Sequence, residues 1–597
     1  MGFKYINTVN TKILAFSLCI IYLFFPKNAI CAVSNNDFNI VLISIDALRA
    51  DHLSCYSYER ETSPNIDKIA EKGILFENVI APSSWTVPSM VSLFTSVYPI
   101  NHGVISGFLS NNKVYKQEVL SDKLTTLAEI LKENGYATFG VASNLHLSEK
   151  SGLARGFDYF KCLPFLPAPY VNGTIHSWED EIKKSDKFFL WVHYFDPHLP
   201  YIARKPWIEQ YTSKEITEKL NFSKKHRDEL SELIPVFKKY PQTLSNLIAI
   251  YDSEINYVDS YLGELIEKFE LDKNTLIIIT SDHGEGFLEH GMLGHGNSLY
   301  KETTQIPLII KLPHSTKKET VKRYVNLVDI MPSILHISSI SLPEHTLGES
   351  LWKKKGLIFW LKKMFSRNDA SNYNFSELDK NSILKTILTS KWKYIYNYQD
   401  KTEQLYNIKS DLLELNNLAD KNIRQRNKLK EQLLNWVSNS KTYPTKRQAI
   451  QLSPIEKEKL ETLGYLSTQE PGLKKSQKNL RAKREKKAGE KPQSSRMVDS
   501  EEANLKIVDG TGNTVGIDLT NNVPVRVLQF TLEGAKMTGV HTTSRTAGFL
   551  ADFNRESGIV ILVSTSGNKI AAGTGLIAEI ICDKGDSASL SGIKMAK

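Results

Sequence analysis

The sequence predicts an α/β protein: a mostly parallel sheet covered by helices, with a smaller C-terminal subdomain, followed by a separate all-β sandwich. Three observations predict this. Short β-branched runs, "NIVLISI" (39–45), "FFLWVHYF" (188–195), "TLIIIT" (275–280) and "PLIIKL" (307–312), alternate with helical stretches. Strands that read as unbroken apolar runs are buried on both faces, as in a parallel sheet with helices on either side. Between Trp207 and Leu265 the chain is charged with apolar positions at helical spacing, which predicts helices packed outside the sheet. From about Ala503 the character changes to the runs "ANLKIV", "VRVLQFTL", "GFLADF", "GIVILVS" and "GLIAEIIC", separated by Gly, Asn and Thr clusters. Short strands with turn chemistry between them read as an antiparallel sandwich.

Taken from the N-terminus, residues 1–32 read as a signal peptide. Lys4 and Lys12 precede a thirteen-residue apolar run, "ILAFSLCIIYLFF", and small residues follow in "NAICAVS". The run is short for a stable membrane span, which needs about 20 residues, and fits a secretory leader. The expected location is secreted, periplasmic or cell-surface. Removing the leader leaves Cys55, Cys162 and Cys582, too few and too scattered for a disulfide framework. Residues 33–466 form the α/β domain. Residues 467–502 are a basic linker: "LKKSQKNLRAKREKKAGEKPQSSR" carries ten basic residues against two acidic ones and accounts for nearly all of the net charge of +9. It has no aromatic residue to stack bases, so a nucleic-acid partner is not expected. Residues 503–597 are the sandwich, and the pattern "VRVLQFTLEGAKMTGVHTT" through "SGNKIAAGTG" resembles cohesin-like and related carbohydrate-binding modules. That resemblance implies contact with a glycan or a protein.

The chemistry gathers at strand ends. "NIVLISI" runs into Asp46, and "TLIIIT" runs into "SDHGEG", which puts Asp282 and His283 just past its end. Ligands of open parallel sheets collect outside the carboxyl ends of strands. Carboxylate oxygen with imidazole nitrogen suits Zn²⁺ or Mn²⁺ better than Ca²⁺, which prefers oxygen alone. Either Asp, read by itself, is equally a turn or cap residue. In "SSWTVPSMVSLFTS" Thr86 stands before Pro88 at the mouth of a short helix, where unpaired N–H groups favour an anion and proline costs nothing. A metal held by Asp46, Asp282 and His283 takes the Thr86 oxygen as a fourth ligand in this reading; the alternative is a plain N-capping threonine.

The ordered segments "NIVLISIDALRADHLSCYSY", "TVPSMVSLFTSVYPINHGV", "FFLWVHYFDPHLPY" and "SDHGEGFLEHGMLGHGNSLYKE", then "LVDIMPSILHI", "TEQLYNIKSDLLELNNLAD" and "EKEKLETLGYL", resemble the sulfatase-like branch of the alkaline phosphatase superfamily. The likeness covers roughly residues 39 to 466. It implies an alkaline-phosphatase-like fold and a nucleophile at Thr86. Sulfatases proper carry Cys or Ser there, converted to formylglycine, and an Arg four residues on, where this chain has Met90. The second acid after the first strand is replaced by Ala47, and the lysine of a Gly-Lys-Trp-His type segment by Asn144 in "SNLH". Threonine-dependent relatives of this group act on phosphoryl centres.

By the same resemblance His198 stands nearest the leaving oxygen as general acid, and His146 and His295 complete the anion cradle. An imidazole donates a proton readily near neutral pH. His193, Asp196 and His198 are alternatively a second metal site. The expected function is an exported, metal-dependent hydrolase of phosphate or sulfate esters through a covalent Thr86 intermediate, on a substrate that is glycan- or lipid-linked. A phosphoryl transferase to such an acceptor, and a non-catalytic surface scaffold or adhesion protein, are the alternatives.

Overall fold

The computed structural model describes residues 37–111, 114–212, 232–352, 373–380 and 382–462, and from residue 503 onward chiefly strand segments. The expected leader over 1–32 and linker over 467–502 lie outside the described residues. The chain divides into the units Met1–Phe38 and Asn39–Lys597, and the fold is that of the second.

Nine strands make the main sheet: β1 (Asn39–Ile45), β2 (Ile74–Ile80), β3 (Ala137–Ala142), β4 (Tyr159–Cys162), β5 (Phe188–Tyr194), β6 (Thr275–Ser281), β7 (Gln305–Ile306), β8 (Leu308–Lys311) and β9 (Glu319–Asn326). Their order is β7-β2-β8-β6-β1-β5-β3-β4, with β9 alongside β2. β1 runs parallel to β5 and β6, and β3 parallel to β4 and β5, whereas β8 runs antiparallel to β6 and β2. The apolar runs in the sequence become the centre of this sheet. β5 and β6 are buried along their whole length, and β1 at all but its first residue. Burying one Ile, Leu or Val fully is worth ~1.5–3 kcal/mol, so these three strands anchor the domain.

Two helices cover the two faces. α1 (Thr86–Thr95) lays Phe94 edge-on against Trp191 of β5 at a centroid distance of 4.6 Å. On the opposite face Val41 and Ile43 join a cluster with Ile250, Ile255, Val258 and Leu262 of α2 (Pro241–Lys268). α2 is the helix that the charged Trp207–Leu265 stretch predicts. A smaller subdomain follows, in which strands Asn374–Asp379, Ile383–Leu388, Trp392–Asn397 and Glu403–Asn407 form an antiparallel sheet. Helix Ile423–Asn439 closes it, with Leu429 and Leu433 packed among Phe375, Ile387, Tyr394 and Leu405. Beyond residue 503, eight strands make two four-stranded antiparallel sheets, one of them in the order Ala503–Asp509, Thr514–Asn521, Gly573–Cys582, Met537–Thr542.

α1 is held from behind by a buried histidine. The Val104 N–H donates to His102 Nδ1 at 3.1 Å, so the ring proton sits on Nε2, which lies 3.2 Å from the Pro88 carbonyl and 3.1 Å from Ser92 Oγ. Burial pushes this imidazole down to about 3, against the Pro88 carbonyl that favours its protonation. The folded value is thus below the unfolded ~6.5, so the stabilisation is full above pH 6.5 and is lost as pH falls toward 3. Chemical denaturation at pH 7 and pH 4 checks this. The parent chain is expected to lose about 3 kcal/mol more than a His102→Gln variant over that interval.

Candidate active site

The register of the sheet sets the site. Ile45 of β1 pairs with Ser281 of β6, so Asp46 and Asp282 leave adjacent parallel strands at the same level. Ala47 adopts a left-handed conformation with φ 57°, and its N–H donates to Asp282 Oδ1 at 3.2 Å. Tyr251 of α2 braces this turn, its hydroxyl accepting from Arg49 N at 2.9 Å and donating to the Ala47 carbonyl at 2.7 Å. The two carboxylates and His283 are fully buried, and one ligand atom from each lies within 4.8 Å of the others.

The hydrogen bonds around this group turn specific atoms toward its centre. Asp46 Oδ2 accepts from Asn144 Nδ2 at 2.8 Å and lies 3.3 Å from His193 Nε2. Asp282 Oδ1 accepts from His283 N at 2.9 Å. The other two oxygens, Asp46 Oδ1 and Asp282 Oδ2, are buried with no hydrogen-bond partner. Both lie 3.4 Å from His283 Nε2. His283 Nδ1 is 2.8 Å from the Gly284 carbonyl, so its proton belongs there and the Nε2 lone pair faces the two oxygens. Three acceptors pointed at one another in a dry interior are a repulsive arrangement unless a cation joins them. The donor set fits a divalent ion.

The charges agree. Burial pushes Asp46 upward, but His198 and the hydrogen bond from His193 outweigh it and hold the carboxyl well below its usual range. Asp282 is raised by burial and then by the charge of Asp46. A dication between them favours the ionised form of both.

Thr86 completes the group. Its hydroxyl oxygen is 3.2 Å from His283 Nε2, and it is fully buried. The helix begins at Thr86 itself, two residues before Pro88, and the cap position belongs to Trp85 in an extended conformation without a side-chain cap bond. Thr86 is therefore a first-turn residue turned toward the carboxylates, and the N-capping alternative does not hold.

Around this centre the other histidines fall into a row. The His295 ring lies 4.2 Å from that of His283 and 4.8 Å from that of His198, and its Nδ1 is 3.0 Å from Glu285. His198 donates from Nδ1 to the Leu199 carbonyl, which presents Nε2 outward. His146 is buried between Trp85 and Phe108. Burial, then Lys380, holds its imidazole well below the ordinary value. Gly107, at φ 63°, lets this ring approach: a Cβ there would stand 2.6 Å from His146 Nδ1. The sequence reading of His193, Asp196 and His198 as a second metal site is not what the fold builds. His193 turns to Asp46, whereas Asp196 is taken by the Ala168 N–H at 2.9 Å and by Arg204 at 3.1 Å. Among the described residues the one such cluster is Asp46, Asp282 and His283.

Two residues escaped the sequence reading. Asn144 appears there only as a lost lysine; besides holding Asp46, its Oδ1 accepts from His146 N at 3.1 Å, so one amide positions a carboxylate and an imidazole. Lys380, in the turn after strand Asn374–Asp379, stands 3.8 Å from the centroid of the Trp85 ring and brings a positive charge to bear on His146. No motif marks it, because the tertiary fold alone carries that turn to the site.

The chain belongs to the sulfatase family, whose family model matches residues 38–340. A second model, for the C-terminal part of N-sulphoglucosamine sulphohydrolase, matches residues 289–440. An uncharacterized sulfatase of Escherichia coli is 24% identical over 460 residues, covering 67% of this chain and 87% of the relative. The N-acetylgalactosamine-6-O-sulfatase of Bacteroides thetaiotaomicron is 25% identical over 474 residues, covering 64% and 89%. Among solved structures, the phosphonate monoester hydrolase of Agrobacterium radiobacter superposes with a TM-score of 0.53 at 21% identity, over 67% of this chain and 95% of the other. A protein solved with its substrate D-glucosamine-2-N,6-O-disulfate superposes at 0.51 with 19% identity, over 67% and 97%. The chain is an ester hydrolase of the sulfatase family, a family whose members bind a divalent metal.

Replacing Asn144 with Ala removes a direct hydrogen bond to Asp46. Outer-shell partners of metal ligands are worth roughly 10–100-fold in affinity. Competition with a chromogenic chelator is expected to show Zn²⁺ or Mn²⁺ held that much more weakly by Asn144→Ala than by the parent chain.

Proposed function

We propose that this protein hydrolyses a phosphate or sulfate ester through a covalent intermediate on Thr86, with phosphoryl centres the better fit. The carrying observation is the convergence of Thr86 Oγ1 and two partnerless carboxylate oxygens on His283 Nε2. Asp46, Asp282, His283 and the Thr86 oxygen would hold one divalent ion, Zn²⁺ or Mn²⁺ rather than Ca²⁺ given the imidazole. When bound, that ion supplies Lewis acidity and stabilises negative charge on the oxygens beside it.

The chain's own groups do the rest. Thr86 Oγ, its proton released to water, attacks the phosphorus or sulfur; a bond forms to it as the bond to the ester oxygen breaks, and the proton is taken back from water when the hydroxyl is regenerated. The departing oxygen takes a proton from Nε2 of the His198 imidazolium, which keeps its Nδ1 proton on the Leu199 carbonyl and recovers the Nε2 proton from the attacking water. Water then cleaves the threonyl ester and regenerates the hydroxyl. His146, His295 and Lys380 surround the non-bridging oxygens of the transferred group. The preference for phosphoryl rests on the nucleophile: a threonine carries no thiol or primary hydroxyl for conversion to formylglycine. Relatives named as sulfatases of amino sugars keep sulfate esters in view.

The same reading assigns residues 33–466 to catalysis and treats 467–502 as a tether to a sandwich domain at 503–597 that contacts a glycan or protein. The two antiparallel sheets support an all-β arrangement of that domain. Export is read from the leader-like first 32 residues. Phosphoryl transfer and a purely scaffolding role are not favoured.

A panel of 4-nitrophenyl phosphate, phosphodiester, phosphonate and sulfate, with and without chelator, tests the reaction class. Turnover of at least one phosphoryl ester is expected, abolished by chelator and restored by metal. Turnover of sulfate alone would overturn the phosphoryl preference. Thr86→Ala is expected to lose about three orders of magnitude in kcat/KM with metal content unchanged by elemental analysis. His198→Ala should slow alkyl esters about 100-fold while sparing the 4-nitrophenyl ester, whose leaving group needs no proton.

A further inference from the structure

A cavity opens beside His198. It has a volume of about 350 Å³ and is lined, among the described residues, by Phe165, Pro167, Phe195, Pro200 and Ile202 together with Asp196, Arg204, Glu254, Glu458 and Lys459. The His198 ring is a shared wall. It stacks on Phe195 at a centroid distance of 4.5 Å and an interplanar angle of 27°, and its other neighbour is His295 of the reacting centre, at 4.8 Å. A group whose ester oxygen lies within reach of His198 therefore has this half-open cavity beside it. The size and the apolar lining are those of a site for one ring.

The walls are built to specification. Phe165 adopts φ 55°, a left-handed conformation unfavourable for a bulky side chain, and so places its ring 5.0 Å from that of Phe195. Helix Pro454–Thr462 supplies the facing wall from a distant part of the chain, and Lys459 Nζ donates to the Pro164 carbonyl at 2.6 Å beside Phe165. This gives Glu456 to Leu460, the start of the motif "EKEKLETLGYL", a place in the fold. The charges do not suit an anion. Arg204 is occupied by Asp196 and Glu254, and with Glu458 the cavity has three acids against two bases.

We infer that this cavity is the leaving-group site, and that it selects an uncharged alcohol with an aromatic or other apolar ring face over an anionic one. The inference rests on the proposed reaction, in which His198 protonates the departing oxygen. It narrows the substrate to an ester whose anionic charge is confined to the transferred group. A polysulfated or uronate alcohol would meet a lining in which acids outnumber bases.

The test uses the full chain and two esters with the same transferred group, 4-nitrophenyl and 3-carboxy-4-nitrophenyl, whose leaving groups are of similar acidity. The uncharged ester is expected to have at least a tenfold higher kcat/KM, and Glu458→Lys should narrow that ratio at least fivefold. A parent ratio near one, or a ratio unmoved by both Glu458→Lys and Phe165→Ala, overturns the inference. Binding of 4-nitrophenol, followed by ligand-observed NMR, separates the two levels. If neither ester turns over, the reaction proposal falls, while binding weakened at least threefold by Phe165→Ala upholds the cavity. Absent binding, or equal affinity in both chains, removes it.

Discussion

The site depends on one buried electrostatic problem: two aspartates and an imidazole lone pair brought together at the ends of two adjacent parallel strands. The pairing of Ile45 with Ser281 fixes their level, and a shift of the register would separate them. In a dry interior such a cluster is costly unless each polar atom is matched. The protein matches the outward-facing atoms with its own donors and leaves an inward-facing set directed at a common point. That division, rather than the mere presence of acids, is what makes the cluster a candidate cation site.

The supports come from all around the sheet. Asn144 follows β3, His193 lies on β5, and Tyr251 reaches in from α2 to hold the turn at Ala47. His193 can donate to Asp46 through Nε2 because Ser44 Oγ, 2.9 Å away, serves its Nδ1. α1 is fixed independently, by Phe94 against Trp191 on one side and His102 on the other, so the Thr86 hydroxyl arrives on a rigid element. Catalytic geometry of this kind tolerates little slack, and a side chain on a packed helix is better controlled than one on a loop.

The residues near Thr86 differ from the arrangement expected of sulfatases. Met90 is buried at the helix position where an arginine is expected, and Asn144 orients ligands where a lysine is expected. Lys380 enters instead from the smaller subdomain, across the Trp85 ring. An ammonium on a flexible stem is a point charge, without the bidentate fork of an arginine. In the proposed reaction the anion accordingly leans more on the candidate cation site and on the N-terminus of α1.

The sequence by itself determined the buried centre of the sheet and the acids at its ends. Unbroken apolar runs have little alternative to a doubly covered strand, and they appear as β1, β5, β6 and β8 within a residue of their expected limits. β2 and β9 were not legible, because "ILFENVI" and "ETVKRYVN" carry polar residues that suit their place toward the edge of the sheet. The direction of β8 was not legible either, since an apolar run reads the same parallel or antiparallel. Only the tertiary structure decided that Asn144 is a support, that His193 and Asp196 part company, and that Lys380 and helix Pro454–Thr462 reach the site. The physical reason is that strand burial is written in local composition, whereas the direction of a polar side chain is set by whichever distant backbone or side chain supplies its missing hydrogen bond.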